Sequence, residues 1–275
     1  MNGKPLFSKI VLNTQDLPAM PQVANLAIDK LSDPESTPRE VHQIISKDQA
    51  LAARILRVAN SSYYSCPRKI SRISDAISYM GFDSVRSLVI ASVIEDLFKK
   101  TGLAEKLLWD HSLACAAAAK KLAMAAKFRK LEEAFLAGLM HDIGKVVLSQ
   151  KAPDEMLQIV QEVYNNPGTD FAEIEMARFG FTHAEVGRFV VKRWNFAEEI
   201  EEAIGNHHHP EEAKVLPLLA HITCLANSIC NKLEIGPVRT PDLNLMTLPS
   251  ARILGVDEET IADISEGLTS ASKMI

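Results

Sequence analysis

A chain of 275 residues with 47% apolar side chains can build one large or two small domains, and it is too apolar to remain disordered. Its net charge of −5 and pI near 5.9 argue against a general nucleic-acid footprint. The basic clusters at Lys120, Lys121 and from Lys127 to Lys130 read as solvated helix ends. Cys66, Cys115, Cys224 and Cys230 form no CxxC pair and read as free buried thiols of a reducing cytoplasm. The segment up to Pro21 has no continuous apolar region of the signal-peptide kind. No stretch reaches about 18 uncharged apolar residues, and the best candidate, Ser112 to Ala119, is too short to cross a bilayer. A cytoplasmic chain without membrane contact is the expectation.

The periodicity predicts an all-α protein, with no alternating β-branched runs and no Asn-Gly hairpins. Pro18 and Pro21 lead into a first helix from Val23 to Leu31, closed by Asp33-Pro34. Thr37, Pro38 and Glu40 then make a helix start with the cap, the first-turn proline and the capping-box acid in place. Asp48 caps a third helix from Gln49 to Ala59. The polar segment from Ser61 to Arg72 is predicted to be a loop. Helices are predicted over Ser74 to Met80, Ser84 to Phe98 and Leu103 to Ala126, broken at Gly81 and Gly102. One helix is expected from Leu131 to Gln150, another from Pro153 to Tyr164, and a turn at Asn165-Asn166-Pro167-Gly168. Thr169 or Asp170 caps a helix to Arg178, and Thr182 with Glu185 makes a capping box for a helix to Trp194. Glu198 to Asn206 and Val215 to Leu233 follow, then an irregular stretch from Gly236 to Pro249 and short helices over Ser250 to Leu254 and Glu258 to Ser270.

Chemistry is unevenly distributed. His42 stands alone before Gly102, and His111, His141, His183, His207, His208, His209 and His221 all follow it. Taken singly, each has a plainer reading: His42 as surface, His221 as packing in an apolar helix, the triplet at His207 as a polar loop. Asp142 is harder to dismiss. It sits beside His141 in G-L-M-H-D-I-G-K between apolar neighbours, and a buried carboxylate needs a cation or donors. An imidazole next to a carboxylate suits Mn, Fe, Zn or Mg. Lys145 can reach a phosphate or neutralise the site's charge.

His111, His141-Asp142, Lys145, His183 and His207-His208, in that order, resemble the HD phosphohydrolase superfamily, with separations similar to its HD-GYP branch. The segments L-P-A-M-P, I-I-S-K-D-Q-A-L-A-A-R-I-L-R-V-A-N-S-S-Y-Y, I-S-R-I-S-D-A-I-S-Y-M-G and L-V-I-A-S-V resemble the HDOD family more specifically. The resemblance covers Leu17 to Leu233. It implies a helical N-terminal subdomain (17–101) packed on an HD-like bundle (102–233), between an N-terminal extension (1–16) and a C-terminal tail (234–275). It also implies a bacterial signal-transduction output module that acts by binding a signalling protein or a small nucleotide, with a metal-dependent phosphohydrolase as the alternative.

By the same resemblance, His111, His141 and Asp142 hold one metal, and Asp142 bridges to a second completed by His183, His207 and His208. Lys145 and Asp142 would be the catalytic pair if the protein is an enzyme. The superfamily's last ligand is an Asp, and the matching position is Asn227. An amide carries no charge, so the first position is expected to bind less tightly, and a single Fe, Mn, Zn or Ni ion is expected at the second. His209-Pro210-Glu211 stands where the HD-GYP branch continues differently, which argues against cyclic-di-GMP hydrolysis. The loop Asn60, Ser61, Ser62, Tyr63 and Tyr64 is expected to be a recognition surface, against a plainer reading in which Asn60 caps its helix and Tyr63 packs beneath it.

Overall fold

A computed structural model describes residues 19–61, 69–98 and 103–272. All regular elements among them are helical, which bears out the all-α expectation. They form two compact units, Ala19–Leu97 and Phe98–Ser270.

In the first unit, α1 (Gln22–Ser32), α2 (Pro38–Ile45) and α3 (Gln49–Ala59) each bury one apolar stripe. The stripes contain Ala24, Ala27 and Leu31, then Val41 and Ile45, then Leu51, Ile55 and Val58. The predicted starts hold. Thr37 N–H donates to Glu40 Oε2 at 2.8 Å, and Asp48 Oδ1 accepts from Leu51 N–H at 2.9 Å. Asn60 takes the plainer role: its amide donates to Leu56 O and Ile70 O and accepts from Ile70 N–H at 2.8 Å, tying the end of α3 to Ile70. Ser62, Tyr63, Tyr64 and Cys66 lie outside the described residues. The fourth helix, α4 (Ile73–Phe98), is interrupted at Gly81, whose φ of 83° is a left-handed value that favours glycine. By length and composition α4, rather than Ser112 to Ala119, is the described helix apolar enough to cross a membrane, and 56% of its most apolar window is buried. It also carries Asp83 and Arg86, and Gly81 breaks it, so a core helix explains it as well.

In the second unit, α5 (Leu103–Ala125) packs on α6 (Leu131–Met140) and on α12 (Pro217–Lys232). Between them in sequence lie α7 (Ile143–Lys151), α8 (Pro153–Asn165), α9 (Phe171–Phe179), α10 (His183–Arg193) and α11 (Glu198–Gly205). Asp170 caps α9, with Oδ1 accepting from Ala172 N–H at 2.8 Å, and Gly180 ends it in a left-handed conformation. The chain closes with α13 (Pro249–Leu254), which packs on α12, and α14 (Glu258–Ser272), which buries Ile261, Ile264 and Leu268.

One expected element differs. The single helix predicted from Leu131 to Gln150 is two, α6 and α7, and they meet at His141 and Asp142. Its apolar pattern is continuous, so periodicity alone could not reveal the break.

Candidate metal centre

The break explains how two adjacent residues serve one site. On a regular helix, neighbours point about 100° apart. Asp142 leaves helical geometry, with φ −98° and ψ 9°, and its carboxylate swings to the side His141 faces. The nearest approach is 3.4 Å, from His141 Nε2 to Asp142 Oδ2. Gly144 then lets α7 lie almost against the backbone of α10. A Cβ at position 144 would stand 1.9 Å from His183 O, so no larger residue fits without moving the backbone. That contact brings the HD pair to His183, 42 positions along the chain.

The imidazole orientations are fixed from behind. His111 Nδ1 donates to Ile235 O at 2.6 Å, His141 Nδ1 to Gly138 O at 2.7 Å, and His207 Nδ1 to Ile204 O at 2.7 Å. A carbonyl can only accept, so each ring carries its proton on Nδ1, and a neutral ring then presents a bare lone pair at Nε2. His183 Nδ1 is held by Glu175 Oε2 at 2.5 Å, and the same oxygen accepts the His183 backbone N–H at 2.8 Å. Gly236, at φ 120°, lies against the His111 ring; a Cβ there would come within 2.9 Å of it. Ile235 and Gly236 therefore set the His111 ring together.

These Nε2 atoms converge. His111 and His141 are 3.3 Å apart, His183 and His207 3.3 Å, and His183 and His208 3.1 Å. Asp142 Oδ1 lies 3.1 Å from His183 Nε2 and 4.0 Å from His207 Nε2, buried and without a hydrogen bond. Lone pairs facing each other at such distances repel unless a cation lies among them. Imidazole nitrogens bound about 2.0–2.1 Å from a tetrahedral ion would stand about 3.3–3.4 Å apart. The donor set therefore fits a divalent metal. Three groupings can hold one: His183, His207 and His208; His141, Asp142 and His207; and His111, Cys115 and His141.

Electrostatics agree. Burial pushes His141 down to about 3 and lowers His111, His207 and His208, so these four rings are neutral at neutral pH, the form in which an imidazole can bind a metal. Burial opposes a charge on His183 too, but Glu175 and Asp142 outweigh it and its pKa is raised. Burial also opposes the Asp142 charge, yet its pKa lies well below the usual carboxylate range. His141, Lys145 and His183 around the carboxylate hold it there, and Lys145 Nζ donates to Asp142 Oδ2 at 2.7 Å. Lys145 is itself buried and lies over the Phe171 ring, 4.4 Å from its centre.

Six sequence-predicted residues, His111, His141, Asp142, His183, His207 and His208, thus gather in one buried cluster, with Lys145 upon it. Asn227 lies against His111, but its Oδ1 accepts from Asn231 Nδ2 at 3.0 Å. His209 is exposed beside Glu211, and His221 is buried with Nδ1 3.0 Å from Ser250 Oγ. Sequence reasoning missed Glu175 and Cys115. Both left a signal: Glu175 sits midway between Phe171 and Phe179 on the buried face of α9, and Cys115 follows His111 by four residues.

The HDOD domain family profile matches residues 17–210. This chain belongs to the HDOD family. It is 28% identical to a Geobacter sulfurreducens HDOD domain protein of unknown function, whose crystal structure superposes with a TM-score of 0.79 over 98% of this chain and 96% of that one. A candidate phosphohydrolase of Shewanella amazonensis shares the fold at 24% identity, with a TM-score of 0.75 over 98% of this chain and 94% of that one. So does a candidate signal transduction protein of Marinobacter aquaeolei at 21% and 0.76, over 95% and 60%. A Treponema pallidum protein of uncharacterised function is 25% identical over 217 residues, 77% of this HDOD chain, which spans 42% of that protein's length.

Proposed function

We propose that this HDOD protein is a signal-transduction module that holds a divalent ion in its Phe98–Ser270 unit and acts by binding a signalling protein or a small nucleotide, not by turnover. One observation carries this reading: Lys145, the cation best placed to meet a phosphate, is turned inward onto Asp142. Of the proposed ligands, His208 is the most exposed, and the others are buried. The tightest ion would sit on Asp142, His183, His207 and His208, three imidazoles and a carboxylate that suit Fe, Mn, Zn or Ni.

A bound ion would supply Lewis acidity beside Asp142, and the metal-compatible donor set keeps phosphoester hydrolysis as the second reading. The residues themselves orient the ligands, neutralise the carboxylate and exclude water. The test is metal analysis of untagged protein, followed by assay of a generic phosphodiester with added Mn or Fe. Bound metal without turnover is the expected result. Metal-dependent turnover abolished by Asp142→Asn would establish the hydrolase instead.

A further inference from the structure

His111 and Cys115 are one turn apart on α5 and share a face. Cys115 Sγ lies 3.5 Å from His111 Nε2, and those two atoms and His141 Nε2 all lie within 4.8 Å of one another. Asp142 Oδ2 approaches the same two nitrogens, at 3.7 Å from His111 and 3.4 Å from His141. A thiolate about 2.3 Å from a tetrahedral ion and an imidazole nitrogen about 2.0–2.1 Å from it stand about 3.5–3.6 Å apart. The observed sulfur–nitrogen separation matches that edge. Without a metal the Cys115 thiol has Ala226 O as its acceptor at 3.9 Å, and its sulfur faces the bare Nε2 of His111. The Asn227 amide beside His111 carries no charge, and its oxygen also accepts from Asn231.

We propose that Cys115 is the anionic ligand of the first metal position, completing His111, His141 and Asp142 where a carboxylate at position 227 is missing. This rests on the metal-holding reading above. Binding replaces the thiol proton, which leaves to solvent, with a sulfur–metal bond. The two positions then differ in kind. The first, with a thiolate, selects Zn or Fe over Mn, and the second, with three imidazoles, is less selective. Two ions are held, against the single ion expected when Asn227 is counted as the last ligand.

The experiment is anaerobic titration of the full, untagged, reduced chain with Co2+. Two equivalents are expected, with a near-ultraviolet sulfur-to-cobalt charge-transfer band and a sulfur scatterer at about 2.3 Å in cobalt X-ray absorption. Cys115→Ser should lose the band and weaken one equivalent by at least about tenfold while the other remains, and the retained equivalent shows that the variant is folded. Cys230→Ser should keep the band. Cobalt bound to the unmodified chain without sulfur signals overturns the inference and leaves the metal reading standing, without dependence on any variant. A band that survives Cys115→Ser, or is lost only in Cys230→Ser, also overturns it. No cobalt binding at all overturns the metal reading and this inference together.

Discussion

The two units bury different things. Among the described residues of Ala19–Leu97, the buried polar side chains are Ser87, Ser92 and Glu95. Ser87 and Ser92 bond to carbonyls of their own helix, and Glu95 meets Arg57 at 2.7 Å. The Phe98–Ser270 unit buries His111, His141, Asp142, Lys145, Glu175, His183 and His207 in or beside one cluster. Removing charges from water is costly even when they are paired. Buried charges of this kind gather at functional sites, and their confinement to the second unit supports the metal-holding reading proposed above.

The contrast can be broken or sharpened by mutation. Asp142→Asn should have the largest effect. It strips the shared carboxylate from both positions and leaves Lys145 buried without its partner, which costs about 3–5 kcal/mol. Denaturation of the metal-free variant and metal analysis read the two effects separately, and unchanged values in both would break the comparison. Leu51→Ala in the first unit should cost about 2–5 kcal/mol through the cavity it leaves. Metal stoichiometry of the folded protein should not change, and a loss of metal would show that the chemistry is not confined to the second unit. Glu175→Gln should weaken metal binding about 10–100-fold, because the group behind His183 sets its orientation and basicity. Isothermal titration with Zn2+ measures this.

A smaller effect follows from pH. His183 has a pKa raised above its ordinary 6.5 by Glu175 and Asp142, against its burial. In the metal-free protein that shift contributes stability below pH 6.5, and the contribution is lost as pH rises through the raised value. An ion competes with the proton for Nε2, so metal affinity should run the other way, falling as pH drops through the same value. Metal titrations across that range check the sign. Smallest of all, Asn60→Ala should cost about 0.5–1.5 kcal/mol by removing hydrogen bonds that tie Leu56 to Ile70, without touching metal content. Thermal unfolding reads it.

Much of this was legible in the chain. Capping at Thr37, Asp48 and Asp170 is local chemistry, readable because a cap and its acceptor lie within a few residues. The break at Gly81 and the gathering of histidines after Gly102 were legible for similar reasons, one a backbone preference and the other a matter of composition. Glu175 and Cys115 were not given roles, although each sat at a telling helical interval, because what they face comes from other helices. The helix break at Asp142 was hidden beneath a continuous apolar pattern.

The sequence by itself determined helices, caps, the buried stripes and which residues could serve as ligands, since these depend on propensities and spacings within a turn or two. The tertiary structure decided which ligands meet. The approach of α7 and α10 at Gly144, the carbonyls of Gly138, Ile204 and Ile235, and the Glu175 carboxylate turn separate imidazoles so that their lone pairs share one small space. It also decided that Lys145 serves Asp142, because that contact depends on where a buried chain turns and not on the order of residues along it.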